Sequence, residues 1–292
     1  MSVSGRSSPV DGFRLAFDDV GSGPAVVLLH GWPGDRCDFR ALVPLLREHA
    51  RLVVPDLRGF GGSDKHDGPP TEVYSVAAQT RSVLGLMDEL GLTSATLVGY
   101  DVGSRVAQTV AEQVPDRVDA LVLAPPLPGA GRRLLEPEVQ GEFCYQHFHQ
   151  LKVAEELIDG QPQAVRSYLG HIWSRWAGPA NQGVADLDHL VEVYGERGAF
   201  VASIGWYRAG AGSVARARTE APPTQRSYVR LHAIWPRHDP LFSLEWADRL
   251  DEWYADVTFT EAPESGHFVP LEAPELLARV VLEEIQRSNT PG

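Results

Sequence analysis

Two cysteines, Cys37 and Cys144, are all that 292 residues carry, too few for a disulfide framework or a multi-cysteine metal centre. Both are expected as reduced thiols, and redox chemistry is not indicated. Basic residues are also scarce against acidic ones, leaving a formal net charge of -13. A face for polyphosphate needs clustered Lys and Arg. The notable basic pairs, Arg132 with Arg133 and Arg216 with Arg218, are short and lack interleaved aromatics, so they read as solvated surface. Nucleic acid and anionic membranes are therefore not expected partners. No apolar run approaches the ~20 residues of a membrane span, and residues 1–9 lack the apolar core of a secretory signal, so a cytoplasmic protein is expected. Internal repeats and low-complexity tracts are missing as well.

What is present is a globular composition, 43% apolar, on a chain long enough to bury roughly three quarters of its unfolded surface. Short branched apolar runs at Ala25–Leu29, 52–54, 95–98 and 121–124 alternate with helical patterns, the rhythm of strands and crossover helices in a mostly parallel sheet. One helical stripe holds Val73, Val76, Ala77, Thr80, Val83, Leu84, Met87 and Leu90, with Gly91 as its stop. A second runs through Val102, Val106, Ala107, Val110, Ala111 and Val114 to Pro115. Beyond Ala124, Pro125, Pro126, Pro128, Gly129 and Gly131 break the rhythm, and an aromatic-rich, helix-prone stretch follows. Strands return at 229–235 and 257–259, and Pro274 opens a closing helix with Leu277, Val280, Val281 and Ile285. The expected organisation is a core at 1–128, a helical cap at 129–216 and the rest of the core at 217–292. Residues 1–9 and 288–292 are expected to fray.

Gly99, Tyr100, Asp101, Val102 and Gly103 join a predicted strand to a predicted helix, the context of a nucleophile elbow, with Asp where serine is the common occupant. An aspartate is ionised at neutral pH without a base and attacks saturated carbon, leaving an ester on the enzyme. Water must then cleave that ester, which calls for an imidazole as base and an acid to orient it. His267 follows the last strand and Asp239 the one before it, giving the order nucleophile, acid, histidine. The oxyanion needs two N–H donors, assigned to the backbone of Val102, next to the nucleophile, and of Trp32, in the loop His30, Gly31, Trp32, Pro33, Gly34.

These motifs, with Asp56, Leu57, Arg58, Gly59, Phe60, Gly61, Gly62, Ser63 and Asp64, resemble the epoxide hydrolase and haloalkane dehalogenase branch of the α/β-hydrolase superfamily from about Val10 to Ile285. The resemblance implies the α/β-hydrolase fold, a mostly parallel sheet flanked by helices with an inserted helical lid, and chemistry without cofactor or metal. Epoxide hydrolases aim two cap tyrosines at the epoxide oxygen. Phe143, Cys144, Tyr145, Gln146, His147 and Phe148 look like the segment of the first, and Trp206, Tyr207, Arg208 like that of the second. The resemblance thus implies Tyr145 and Tyr207 as catalytic, and Trp32, Phe143, Gln146, Trp206 and Phe268 as substrate contacts. The Trp that dehalogenases place after the nucleophile is replaced by Val102, which also departs from many epoxide hydrolases. Fluoroacetate dehalogenases would carry His and Trp where Tyr145 and Gln146 stand, and Arg105 is a poor carboxylate holder. Tyr168 and Tyr194 are expected to pack. His30, Asp56, Arg58 and Asp64 are expected to brace loops, and His147, His149, His171, His232 and His238 lack zinc spacing.

The expected function is hydrolysis of an epoxide to a vicinal diol. The substrate is expected to be a small apolar or aromatic molecule and the protein a monomer or homodimer. The alternatives are a haloalkane or haloacid dehalogenase using the same residues, and an inactive ligand-binding relative.

Overall fold

The computed structural model describes residues 2–181 and 183–288. Eight strands form one sheet: β1 Ser2–Arg6, β2 Ala16–Gly21, β3 Ala25–Leu29, β4 Arg51–Pro55, β5 Ala95–Gly99, β6 Val118–Leu123, β7 Leu231–Pro236 and β8 Val257–Ala262. Their spatial order is β1-β2-β4-β3-β5-β6-β7-β8. β2 runs antiparallel to β1 and β4, and every other pairing is parallel. Strands covered on both faces read as unbroken apolar runs, and Val26, Val27, Leu28 and Leu29 are all fully buried. The apolar runs in the sequence thus locate β3 to β7, while β8, a half-exposed edge strand, shows only as the shorter run 257–259.

The first residues do not fray as expected. Ser2–Arg6 is an edge strand, with Gly5 opposite Phe17. Its sequence, Ser-Val-Ser-Gly-Arg, has no apolar alternation because neither face is buried in the core, Val3, Ser4 and Arg6 all being exposed. Of the tail, Ser288 ends a helix, and residues 289–292 lie outside the described residues.

Helix α1, Val76–Glu89, starts later than its apolar stripe, because Ser75 caps it by accepting from Ala78 N at 3.3 Å. Helix α2, Asp101–Gln113, buries Val102, Val106 and Val110 against the sheet, each contributing about 1.5–3 kcal/mol by removal from water. Between β6 and β7 the described residues form helices and turns, with one isolated bridge from Ser227 to Tyr254 beyond β7. The insertion includes α3 Cys144–Phe148, α4 Pro162–Trp176, α5 Leu187–Tyr194 and α6 Ala199–Arg208. The closing helix, α7, is Pro274–Ser288. No helix among the described residues is long and apolar enough to cross a membrane.

Candidate active site

Loops leaving the C-terminal ends of parallel strands converge, and this is where open α/β sheets place their sites. Trp32 follows β3, Asp101 follows β5, Asp239 follows β7 and His267 follows β8. The turn at Asp101 is tight enough to hold its φ at +47°, a left-handed conformation that costs a non-glycine residue about 1–3 kcal/mol. Two glycines make the turn possible. A Cβ on Gly103 would stand 1.9 Å from Leu29 O, and one on Gly99 2.7 Å from the Gly103 carbonyl carbon. Asp101 N donates to Pro125 O at 2.9 Å, fastening the turn to the exit of β6.

His267 lies between two carboxylates. Its Nδ1 is 2.9 Å from Asp239 Oδ2, while Asp239 Oδ1 accepts from Leu241 N at 2.8 Å. Its Nε2 is 3.6 Å from Asp101 Oδ2, beyond hydrogen-bond range, and has no other partner. Burial works against the imidazolium, but attraction from Asp239 and Asp101 outweighs it and pushes the His267 pKa up to about 10. At neutral pH the resting site therefore favours the imidazolium.

The other Asp101 oxygen, Oδ1, accepts from Trp32 N at 2.8 Å. Val102 N–H belongs to the first turn of α2, where backbone donors have no intrahelical acceptor. Above this pair stand the two tyrosines. Tyr145 lies parallel to Trp32, with ring centroids 5.7 Å apart, and Tyr207 stands edge-on to Trp32 at 5.7 Å. Gln146 Nε2 donates to Tyr145 Oη at 2.9 Å, which leaves the Tyr145 proton free to donate. Tyr207 Oη is buried and has no hydrogen-bond partner. Burial first, then neighbouring negative charge including Asp101, holds both hydroxyls protonated far above neutral pH.

A cavity of about 30 Å³ opens onto Asp101 and Val102, walled further by Gln146, Trp206, Tyr207 and Phe242. That is room for about two waters. Trp32, Phe143, Tyr145 and Phe268 are not among its lining residues: Trp32 and Tyr145 stack on each other beside it, Phe143 packs edge-on against Phe242 at 5.8 Å, and Phe268 stacks on Trp173 at 3.5 Å. Phe242, Gln108, Arg216 and Glu220 do line it, though no sequence motif singles them out. Glu272 is a further unforeseen participant. Its carboxylate accepts from Gly266 N and Phe268 N, both at 2.9 Å, and from Gly178 N of the insertion at 2.7 Å, fixing the His267 loop.

The residues expected to brace loops do so. His30 Nε2 accepts from Leu57 N at 3.0 Å and Nδ1 faces Gly31 O at 2.9 Å, and burial keeps the ring neutral. Asp56 accepts from Arg36 N and Gly62 N, Arg58 reaches Ser82 and Asp11, and Asp64 accepts from Arg14 N. Tyr168 Oη meets His149 at 2.9 Å, and Tyr194 Oη donates to Gly34 O at 2.7 Å. Cys37 and Cys144 are free thiols. The indole N–H groups of Trp32 and Trp173 are spent on Ser203 Oγ and Pro33 O, each at 3.2 Å.

Known proteins share this framework. The chain is 29% identical over 282 residues to a fluoroacetate dehalogenase of Burkholderia sp., covering 90% of this chain and 87% of that one. It is 32% identical over 127 residues to a soluble epoxide hydrolase of Corynebacterium sp., 44% and 43% of the two chains. It spans about a third of an uncharacterized Mycobacterium tuberculosis protein, 38% identical over 114 residues that make up 39% of this chain and 32% of the other. Among solved structures, the epoxide hydrolase CorEH superposes with a TM-score of 0.83 at 24% identity, over 98% of this chain and 99% of that one. The family described as alpha/beta hydrolase fold matches residues 24–274, and with β3 to β8 and the elbow inside that span, the protein belongs to it.

Proposed function

We propose that this protein hydrolyses epoxides to vicinal diols through an ester on Asp101. The observation that carries the reading is Tyr207 Oη, a buried hydroxyl on the wall of the cavity that holds Asp101, with no partner at good hydrogen-bond geometry and the Tyr145 hydroxyl as its polar neighbour. Buried polar groups are nearly always paired, so a hydroxyl left unpaired beside a nucleophile is suited to a developing oxyanion. Opening an epoxide releases an alkoxide that must be protonated, whereas a departing halide is a weak base and needs only N–H donors.

In the proposed cycle an Asp101 carboxylate oxygen bonds to an epoxide carbon as the carbon–oxygen bond breaks. Tyr207 and Tyr145 hydrogen-bond to the oxygen, which takes a proton. The His267 imidazolium restores that proton to the tyrosine, directly or through solvent, and becomes the neutral base. Water then loses a proton to His267 and attacks the Asp101 carboxyl carbon, with the Trp32 and Val102 N–H groups on the oxyanion. Collapse releases the diol and returns carboxylate and imidazolium together. The substrate is a small apolar or aromatic epoxide, and we place the enzyme in the cytoplasm, organised as core 1–128, cap 129–216 and core 217–292.

Likeness to a fluoroacetate dehalogenase along 90% of the chain favours a second reading, halide displacement by the same carboxylate. One feature weighs against it: Val102 offers no side-chain N–H for a halide, although Arg105 and Arg216 both line the cavity. Turnover of styrene oxide and a long-chain haloalkane in heavy-oxygen water separates the readings. Diol formation with label entering Asp101 is expected. Halide release without diol would move the assignment to dehalogenation, and neither product would point to a binding protein.

A further inference from the structure

The cavity at Asp101 is too small to hold more than the reacting end of a substrate, so any longer arm must pass through its wall. Two hollows share that wall. One, of about 600 Å³, shares Gln108, Arg216 and Glu220 with it and extends along Ala111, Pro115, Ala221, Pro223, Trp253 and Tyr254. The other, of about 350 Å³, shares Gln146, Tyr207 and Gly212.

The two partitions differ in what would have to move. On the smaller side the wall is tightly packed around the oxygen-holding group: a Cβ on Gly212 would stand 2.5 Å from Gln146 Oε1 and 3.0 Å from the Tyr207 ring. Gln146 is itself engaged by Val214 N at 3.1 Å and by the Tyr145 hydroxyl. Opening here would displace the groups that hold the epoxide oxygen. On the larger side the wall is an ion pair between long side chains, Arg216 Nε to Glu220 Oε2 at 3.3 Å, anchored where Glu220 Oε1 accepts from Gly129 N at 3.0 Å. The Glu220 side chain is buried and that of Arg216 about a quarter exposed, so the pair opens only by turning both long side chains toward the outer hollow, a movement that leaves Asp101, His267 and both tyrosines in place.

We infer that Arg216 and Glu220 form a gate through which the apolar arm of the epoxide leaves the Asp101 cavity and lies in the larger outer hollow, against Ala111, Pro115, Trp253 and Tyr254. The inference rests on the epoxide reading and deepens it: the preferred substrates are epoxides with one long, unbranched or aryl-terminated apolar arm. The outer hollow falls in the usual size range of ligand sites, a few hundred Å³, while the cavity at the nucleophile does not. Specificity for the arm thus resides outside the cap tyrosines.

The test uses two exposed alanines, one in each hollow. Ala221→Trp narrows the larger hollow and Ala215→Trp the smaller. Turnover of propylene oxide and decyl glycidyl ether is compared in the wild type and both variants. In parallel, calorimetry measures binding of the corresponding long-chain diol, decyl glyceryl ether. Ala221→Trp is expected to lower kcat/KM for the decyl substrate and weaken diol binding by about tenfold or more, leaving propylene oxide turnover unchanged, with Ala215→Trp altering neither. Equal diol binding and an equal decyl-to-propylene ratio in Ala221→Trp and wild type would overturn the gate, as would a selective loss in Ala215→Trp. Failure of the wild type to open propylene oxide would count against the epoxide reading instead, and diol binding would still judge the hollow.

Discussion

His267 shares its two nitrogens between Asp239 and Asp101, and its charge therefore depends on whether Asp101 is free or esterified. With both carboxylates ionised its pKa is about 10, and esterifying Asp101 removes one of the two attractions. kcat/KM, which reports the free enzyme, is expected to hold through neutral pH and fall as pH rises through about 10. The ester decays only with neutral His267, so kcat is expected to rise with pH through a lower value. Single-turnover decay rates of the ester between acid and alkaline pH check this, and a decay midpoint at or above that of kcat/KM would contradict it. His267→Gln should lower turnover by about 10³-fold or more and, with ring opening slowed but still able to draw its proton from solvent, accumulate the ester as a mass increase on the Asp101 peptide during long incubation. Replacing both Tyr145 and Tyr207 with Phe should cost about 10²–10⁴-fold in epoxide opening, measured against retained binding of the diol.

At the scale of elements, the His267 loop is held by an acceptor on the short helix Val269–Glu272. Glu272→Ala would strand the N–H groups of Gly266 and Phe268, each costing about 1–3 kcal/mol if it stays buried. A clearly lower Tm together with reduced kcat is expected, and an unchanged Tm would show that water replaces the carboxylate. No sequence pattern announces such a residue, because any Glu or Asp suitably placed can accept from a loop backbone. The elbow was legible for the opposite reason: few residues other than Gly99 and Gly103 tolerate the 2.7 Å and 1.9 Å approaches found there. β3 to β7 were legible from burial of most of their residues on both faces, β8 only as the short run 257–259 because it is a half-exposed edge strand, and the edge strand Ser2–Arg6 was not, since its backbone pairing leaves no mark on its side chains. Cavity-lining residues such as Phe242 and Arg216 come from separate elements, so their convergence has no local signal.

Across the whole molecule, the insertion is fastened to the loop that follows β3. His189 Nε2 meets Asp35 Oδ2 at 2.7 Å, Tyr194 Oη reaches Gly34 O, and Trp173 Nε1 reaches Pro33 O. The same loop supplies Trp32 N to Asp101. The hydrogen bond with Asp35 raises the His189 pKa, while its counterpart lowers that of Asp35 against the cost of burial. The His189 contribution is therefore complete below its unfolded value of about 6.5 and lost as pH rises through the raised one. That of Asp35 is present above about 3.8 and lost as pH falls through the lowered one. Hydrogen-exchange protection of Leu187–Tyr194 is expected to decline from mildly acidic to alkaline pH in the wild type, and to lose that dependence in His189→Gln.

The insertion has one further consequence. Asp101, Asp239 and His267 hang from β5, β7 and β8, whereas Tyr145 and Tyr207 both lie on the continuous stretch between β6 and β7. On the proposed mechanism, the half of the reaction common to any leaving group and the half that chooses among leaving groups occupy separable parts of the chain. A lineage carrying this scaffold would then trade one substrate chemistry for another by replacing a single uninterrupted segment, with the hydrolytic apparatus inherited intact.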